Sequence, residues 1–272
     1  IELVQHPRYD KLLERFGTIA QQFNLCGCHV HVDVPDLQTA VAIMTRARPY
    51  LPLLAALTGS SPFHTGADTG YESFRLAWLA LWPQGGLPPR LDSADEYLST
   101  VDRLTELGLI DDASMLLWEL RPSARYPTLE FRIADSCTDV DDAVLYAALA
   151  RSLVRTLAVR VADGAPSTDT SDPQLRAARW RAARYGLGAT LWSPSRTALV
   201  PAAVALDDLL GDLRADLEQH GEYGVVDELL TQLRSRGTSA HRQRVVLART
   251  GSLSEVARAT VGLTNRCAAA AS

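Results

Sequence analysis

Two short runs carry residue types that could work together on a charged substrate. In Gly27-Cys28-His29-Val30-His31-Val32, the period of a strand sends His29 and His31 to one face and Val30 and Val32 to the other. Neutral imidazole ligates metal ions and meets phosphate oxygens. A lone His-x-His also suits ordinary hydrogen-bonded strand histidines. In Thr128-Leu129-Glu130-Phe131-Arg132-Ile133, the same period buries Leu129, Phe131 and Ile133 and leaves Thr128, Glu130 and Arg132 together on the opposite face. Glu130 beside Arg132 reads either as a structural ion pair or as a divalent-cation ligand next to a phosphate-binding guanidinium. Magnesium favours oxygen ligands and travels with nucleotide phosphates, so a carboxylate strand beside an imidazole strand is chemically coherent. Arg121 and Arg75 fall next to these runs in the expected cleft, where cations would offset phosphate charge. Neither a P-loop nor a Gly-x-Gly-x-x-Gly is present, so phosphates would be held without a helix N-terminus signature.

The elements that must position these residues are legible from pattern. Tyr9 to Gln22 is amphipathic and reads as a helix running into the His29 strand. Asp36 starts the next helix, Leu51–Leu57 is a buried helix ending at Gly59, and Ala94–Leu107 is a helix with a polar face. Ser60 to Tyr71 is a long Ser/Pro/Gly/Thr/Asp loop, and loops of that length are commonly functional. Met115–Arg121 and Thr128–Ile133 alternate and read as two strands, with Pro122 to Pro127 as the turn between them. Asp139 caps a long helix to about Val161, Asp163–Pro173 is a polar linker, and Gln174–Tyr185 is a basic helix stopped by Gly186. From Pro201 on, Leu206–Leu217, Val225–Arg234, Ala240–Thr250 and Leu253–Val261 read as helices. Antiparallel strands backed by helices, with a helical part over 201–272, predict an α+β fold.

Composition bounds the partners. The chain has 272 residues, 47% hydrophobic and 22% charged, as in an ordinary globular domain. Its net charge is −5 and its basic residues are scattered, so nucleic acid is not an expected partner. No apolar run approaches membrane-spanning length. The cysteines Cys26, Cys28, Cys137 and Cys267 follow no zinc or disulfide spacing, which suits a reducing cytoplasm. His6, His220 and His241 read as surface residues.

Six motifs in register build a family resemblance. They are Gly27-Cys28-His29-Val30-His31-Val32; Ser61-Pro62-Phe63 with Asp68-Thr69-Gly70-Tyr71 and Arg75; Trp118-Glu119-Leu120-Arg121-Pro122; Thr128-Leu129-Glu130-Phe131-Arg132; Arg184-Tyr185-Gly186-Leu187; and Arg242-Gln243-Arg244. In this order, from about Pro7 to Ala257, the chain resembles the bacterial glutamate–cysteine ligase type 2 family, the YbdK-like carboxylate–amine ligases of the glutamine synthetase superfamily. The resemblance implies a glutamine synthetase-like antiparallel active-site sheet and a single ligase catalytic domain over 1–272. It implies an ATP-dependent ligase that phosphorylates the side-chain carboxylate of glutamate to an acyl phosphate, which an amine such as that of cysteine displaces. ATP and Mg²⁺, or Mn²⁺, are the implied cofactors. By position, His29 and Glu130 would hold the metal and His31 would lie near the nucleotide phosphates. Arg132 would meet the transferring phosphoryl group, and Arg75 and Arg121 would hold the acidic substrate or the phosphates.

The chain also departs from the family. Relatives begin with a segment bearing an acidic Gly-x-Glu-x-Glu strand, and Ile1-Glu2-Leu3-Val4 does not supply it. The expectation is therefore a homo-oligomer, or a complex with a chain that provides this strand. The alternative is a non-catalytic or split-enzyme subunit that binds nucleotide or amino acid. His64 stands where relatives carry a bulky aromatic, and Pro127 where they carry Gly. A metal hydrolase built on His29, His31 and Glu130 leaves the arginines unused and has no evident general base.

Overall fold

A computed structural model describes residues 7–21, 25–167 and 170–265. The amphipathic N-terminal stretch is two helices, α1 (Pro7–Phe16) and α2 (Thr18–Gln21), because Gly17 adopts a left-handed φ of +55° between them. The expected end of that stretch, Gln22, lies outside the described residues. Strand β1 (Val30–Asp33) leads to α3 (Leu37–Ala47), whose first turn is capped by the Asp36 carboxylate accepting from the Thr39 N–H. A 3₁₀ turn through Pro49 joins α3 to α4 (Leu51–Leu57), every residue of which is buried.

The expected loop over Ser60–Tyr71 contains a small hairpin, β2 (Phe63–His64) with β3 (Ala67–Asp68). Its turn residues Thr65 and Gly66 both take positive φ, the geometry a two-residue hairpin requires. Helix α5 (Phe74–Leu79), strand β4 (Gly85–Gly86) and helix α6 (Ala94–Glu106) follow, α5 and α6 capped by Ser73 and Ser93. The single strand expected over Met115–Arg121 is divided. Residues Leu117–Trp118 form β5, which pairs in parallel with β4, whereas Leu120–Pro122 form β6. The break falls at Glu119, whose fully buried carboxylate turns away to an ion pair with Arg179. Its backbone stays paired, the Glu119 N–H donating to the Gly86 carbonyl and its carbonyl accepting from the Arg132 N–H, each at 2.8 Å, so Glu119 is where the chain passes from pairing with β4 to pairing with the strand that ends near Arg132.

Strand β7 (Thr128–Phe131) lies between β1 and β6, antiparallel to both. The register sets Glu130 opposite His31 on one side and opposite Arg121 on the other. The reverse face of this sheet is core: Leu120, Leu129, Phe131 and Ile133 have no exposed surface. Burying side chains of this size stabilises the fold by about 1.5–3 kcal/mol each. This face packs against α3 and α7 (Val140–Ala162), the latter capped by Asp139 as expected.

Helix α8 (Asp172–Tyr185) starts two residues before the expected Gln174, because Pro173 is tolerated in a first turn and Gln174 Oε1 accepts from the Ser171 N–H. A hairpin for which no strand was expected, β8 (Thr190–Ser193) with β9 (Ala198–Pro201), follows. Helices α9 (Ala202–Gln219), α10 (Tyr223–Arg236), α11 (Ser239–Thr250) and α12 (Leu253–Thr264) complete the helical C-terminal part. Helices dominate over small sheets, as the α+β expectation required. Among the described residues no helix is long and apolar enough to cross a membrane.

Candidate functional site

The polar face of the β1–β7–β6 sheet assembles around one carboxylate. Glu130 is 5% exposed and sits at the middle of the three strands. Its Oε1 accepts from Arg132 Nη1 at 2.5 Å, lies 3.2 Å from His29 Nδ1, and is 3.8 Å from His31 Nε2. Its Oε2 accepts from Arg121 Nε at 2.9 Å. Alternation explains why these groups meet. Arg132 follows the last residue of β7 two positions after Glu130, His29 precedes β1 two positions before His31, and the registers bring Arg121 and His31 level with Glu130.

Two members, His31 and Arg121, are held from behind. His31 Nδ1 is 2.8 Å from the Thr128 hydroxyl, which fixes the ring and leaves Nε2 toward Glu130. Arg121 is buried, and its Nη1 donates to the carbonyls of Ala113, Ser114 and Leu116 at 3.0, 2.8 and 2.5 Å. Burial raises the pKa of the Glu130 carboxyl, but the His29 hydrogen bond and the charges of Arg132 and Arg121 outweigh it and hold the group well below the usual carboxylate range. Glu130 is therefore an anion throughout the physiological range.

This face opens on a cleft of about 440 Å³, lined by His31, Arg121, Glu130 and Arg132 and by Arg125 and Tyr126 of the β6–β7 turn. An apolar wall of Leu12, Trp82, Met115 and Leu117 faces them. Arg125 and Tyr126 read in the sequence only as turn residues; nothing in the spacing marks them as cleft-facing. Tyr126 sets its ring edge-on to His31 at 6.1 Å.

Arg75, expected to hold substrate, is instead built into the support. It is 6% exposed, and its guanidinium donates to the carbonyls of Ile133 at 3.1 Å and Arg132 at 2.7 Å. Asp135, fully buried, lies 3.7 Å from Arg75 and accepts from the Ser60 N–H and the hydroxyls of Ser61 and Ser73, each at 2.8 Å. Burial nonetheless pushes the Asp135 carboxyl pKa up. Gly27 is required here: a Cβ at that position would lie 2.5 Å from Arg75 Nη2. The Gly27 before the paired histidines thus makes room for the guanidinium that fixes the end of β7.

The remaining motif arginines serve packing. Arg244 donates to Asp68 at 2.8 and 3.0 Å and to the Tyr71 carbonyl at 2.7 Å, and it also pairs with Glu72. Arg242 bonds Asp142 at 2.8 Å, and Arg184 lies over the rings of Tyr71 and Tyr185. His64 stacks among Phe74 and Trp78 at 4.8 and 5.2 Å and does not line the cleft.

The donor set does not by itself suit magnesium. Among the described residues, no three His, Cys, Asp or Glu side chains gather as a metal site. Among those residues Glu130 offers the cleft its one carboxylate, and both oxygens already accept from guanidinium groups. A hard cation placed there would face two positive charges and an imidazole in place of the oxygen shell it prefers.

Relatives confirm the sequence resemblance at family level. The family model described as glutamate–cysteine ligase family 2 matches residues 1–259. A protein of Salinispora tropica named "Putative glutamate--cysteine ligase 2" is 44% identical over 245 residues, covering 90% of this chain and 65% of the relative. A Nocardia farcinica protein named "Putative glutamate--cysteine ligase 2-1" is 42% identical over 237 residues, covering 87% of this chain and 62% of the relative. The chain thus spans just under two-thirds of the length of these relatives. A match over nearly the whole chain leaves one conclusion: the chain belongs to glutamate–cysteine ligase family 2.

Proposed function

We propose that this chain carries the phosphoryl-transfer face of an ATP-dependent carboxylate–amine ligase, with glutamate as the carboxylate and an amine such as that of cysteine as the acceptor. The observation that carries the reading is Glu130 holding Arg121 and Arg132 side by side on the floor of the cleft. A carboxylate is a poor electrophile at neutral pH. Transfer of a phosphoryl group from ATP to its oxygen breaks the bond to ADP and makes a mixed anhydride, and amine attack then expels phosphate to leave the amide. Both steps build negative charge on phosphoryl oxygens, where preorganised cations act most strongly. In this scheme Arg132 meets the transferring group, Arg121 adds a rigid positive charge behind it, and His31 contacts the nucleotide phosphates. Glu130 and His29 keep the guanidiniums in place. Arg75 acts through the Arg132 backbone as a positioning residue. Magnesium or manganese enters as the companion ion of the nucleotide rather than as an ion that His29 and Glu130 hold alone. The three-stranded sheet is the proposed counterpart of a glutamine synthetase-like active-site sheet, working as a homo-oligomer or with a chain that contributes a further strand.

The test is ADP release by a preparation supplied with ATP, Mg²⁺, glutamate and cysteine. Dependence on both substrates supports the reading. Absence of turnover from the full-length protein sinks it. Arg132→Ala should lower kcat by about 10²-fold, the scale expected for one preorganised donor at developing charge. A second reading, a binding subunit or one half of a split enzyme, is favoured by the scarcity of metal-ligating carboxylates among the described residues. Nucleotide binding without turnover would select it.

A further inference from the structure

Away from the cleft, two thiols that are far apart in sequence meet at the end of the sheet. Cys28 and Cys137 are both free and half-buried, and Cys28 packs against the core rather than lining the cleft. Backbone contacts set their segments opposite each other. Gly27 forms an antiparallel bridge with Asp135, and the Cys28 N–H donates to the Ala134 carbonyl at 3.1 Å. On the facing segment Cys137 falls between two anchored residues. Asp135 is held by Ser60, Ser61 and Ser73, and the Thr138 hydroxyl donates to that of Ser239 at 2.8 Å. Cys137 Sγ lies 3.9 Å from the Asp135 carbonyl oxygen, and the two thiols hydrogen-bond to each other. With both backbones already fixed, bridging the sulfurs would cost little further chain entropy. The hydrogen bond from Cys137 favours the Cys28 thiolate, burial opposes it, and the nearby Arg75 charge adds to the first, so this thiol lies below its ordinary pKa.

We propose that Cys28 and Cys137 form a redox modification site, which a low-molecular-weight disulfide closes to an internal disulfide joining the segment before β1 to the segment after β7. The Cys28 thiolate attacks the small disulfide, whose S–S bond breaks and releases one small thiolate. Cys137 then gives its proton to solvent and attacks the Cys28 sulfur, expelling the second small thiolate. Two electrons pass from the pair to the oxidant, which ends as two small thiols. The bridge draws on a site without slack. Moving Cys28 moves its neighbours Gly27 and His29, and a Cβ on Gly27 would already lie 2.5 Å from Arg75 Nη2. Arg75 in turn holds the Arg132 carbonyl at 2.7 Å. Oxidation therefore lowers turnover and reduction restores it. That consequence rests on the ligase reading; the bridge itself does not.

Mass spectrometry of the native full-length protein after exposure to hydroxyethyl disulfide tests it, with remaining thiols blocked before digestion. The expected product has lost two hydrogens, carries a single cross-link between the Cys28 and Cys137 peptides, and reverts in dithiothreitol. Mixed disulfides without an internal bridge, or a bridge through any other cysteine, overturn the proposal. Cys137→Ser should stop at a stable mixed disulfide on Cys28, because the resolving thiol is gone. Cys26→Ser should bridge as wild type does, since Cys26 is exposed and takes no part; loss of the bridge there would count against the pairing. Bridged protein should show kcat lowered by about 10–10²-fold, the scale of a small misplacement of catalytic groups. Cys28→Ser should keep its own turnover through the same treatment, and an equal loss in that variant would assign the effect to another thiol. The two proposals fail separately. A bridge in a protein without turnover in either form leaves the redox site and removes the enzyme, whereas turnover in a protein that forms no bridge does the reverse.

Discussion

Replacing Glu130 with Gln isolates the electrostatic core of the site while preserving its shape. The introduced amide could still accept one guanidinium through its oxygen, but its nitrogen would point a donor at the other. In the native arrangement Arg132 and Arg121 bond separate oxygens at 2.5 and 2.9 Å, and Arg121 is 7% exposed. Stranding one partner of a buried ion pair costs about 3–5 kcal/mol. Retention of one neutral hydrogen bond returns about 1 kcal/mol, so a loss of about 2–4 kcal/mol is expected for Glu130→Gln. Urea unfolding followed by fluorescence at several pH values measures it. The sign follows from linkage: the folded-state pKa of Glu130 lies below its ordinary value of 4.5. Its stabilisation is thus complete above that value and declines as pH falls below it toward the folded-state pKa. The gap between wild type and Glu130→Gln should therefore be full at pH 7 and shrink in acid below about pH 4.5. A gap near zero at pH 7, or one unchanged in acid, would refute the assignment of Glu130 as the charged anchor.

Other expectations follow from single contacts. Gly27→Ala places a methyl 2.5 Å from Arg75 Nη2 and 3.0 Å from the Ala134 carbonyl, and should lower stability by about 1–3 kcal/mol in the same urea assay. Leu129→Ala on the buried face should cost about 2–5 kcal/mol, whereas Leu199→Ala, exposed on β9, should fall within about 0.5 kcal/mol of wild type. Arg75→Lys loses the fork that serves two carbonyls. Under the proposed function it should reduce kcat with little change in KM for glutamate, because Arg75 acts through the β7 backbone; a selective rise in KM would place it on substrate instead.

The parts readable from sequence are those set by local rules. Period-two burial in Thr128–Ile133 holds because each apolar residue has one face to hide in, and the same rule places His29 and His31 on one side of β1. Asp36 and Asp139 cap helices because a short carboxylate reaches the free N–H groups of its own first turn. The family motifs were legible as a set, since several in order constrain one another. The destinations of the long side chains were not legible. Arg75 reads as a cleft cation in one dimension and Arg242 and Arg244 only as a family motif, yet each bonds carbonyls or acids brought up by distant segments. Glu119 marks the change from pairing with β4 to pairing with β7, and its carboxylate meets Arg179, on a helix 60 residues away. Arg125 and Tyr126 face the cleft because a turn folds them over it. Alternation and capping are decided within a few residues of chain. Charge pairing is decided by which segments the packed core brings within reach, and that only the tertiary structure determines.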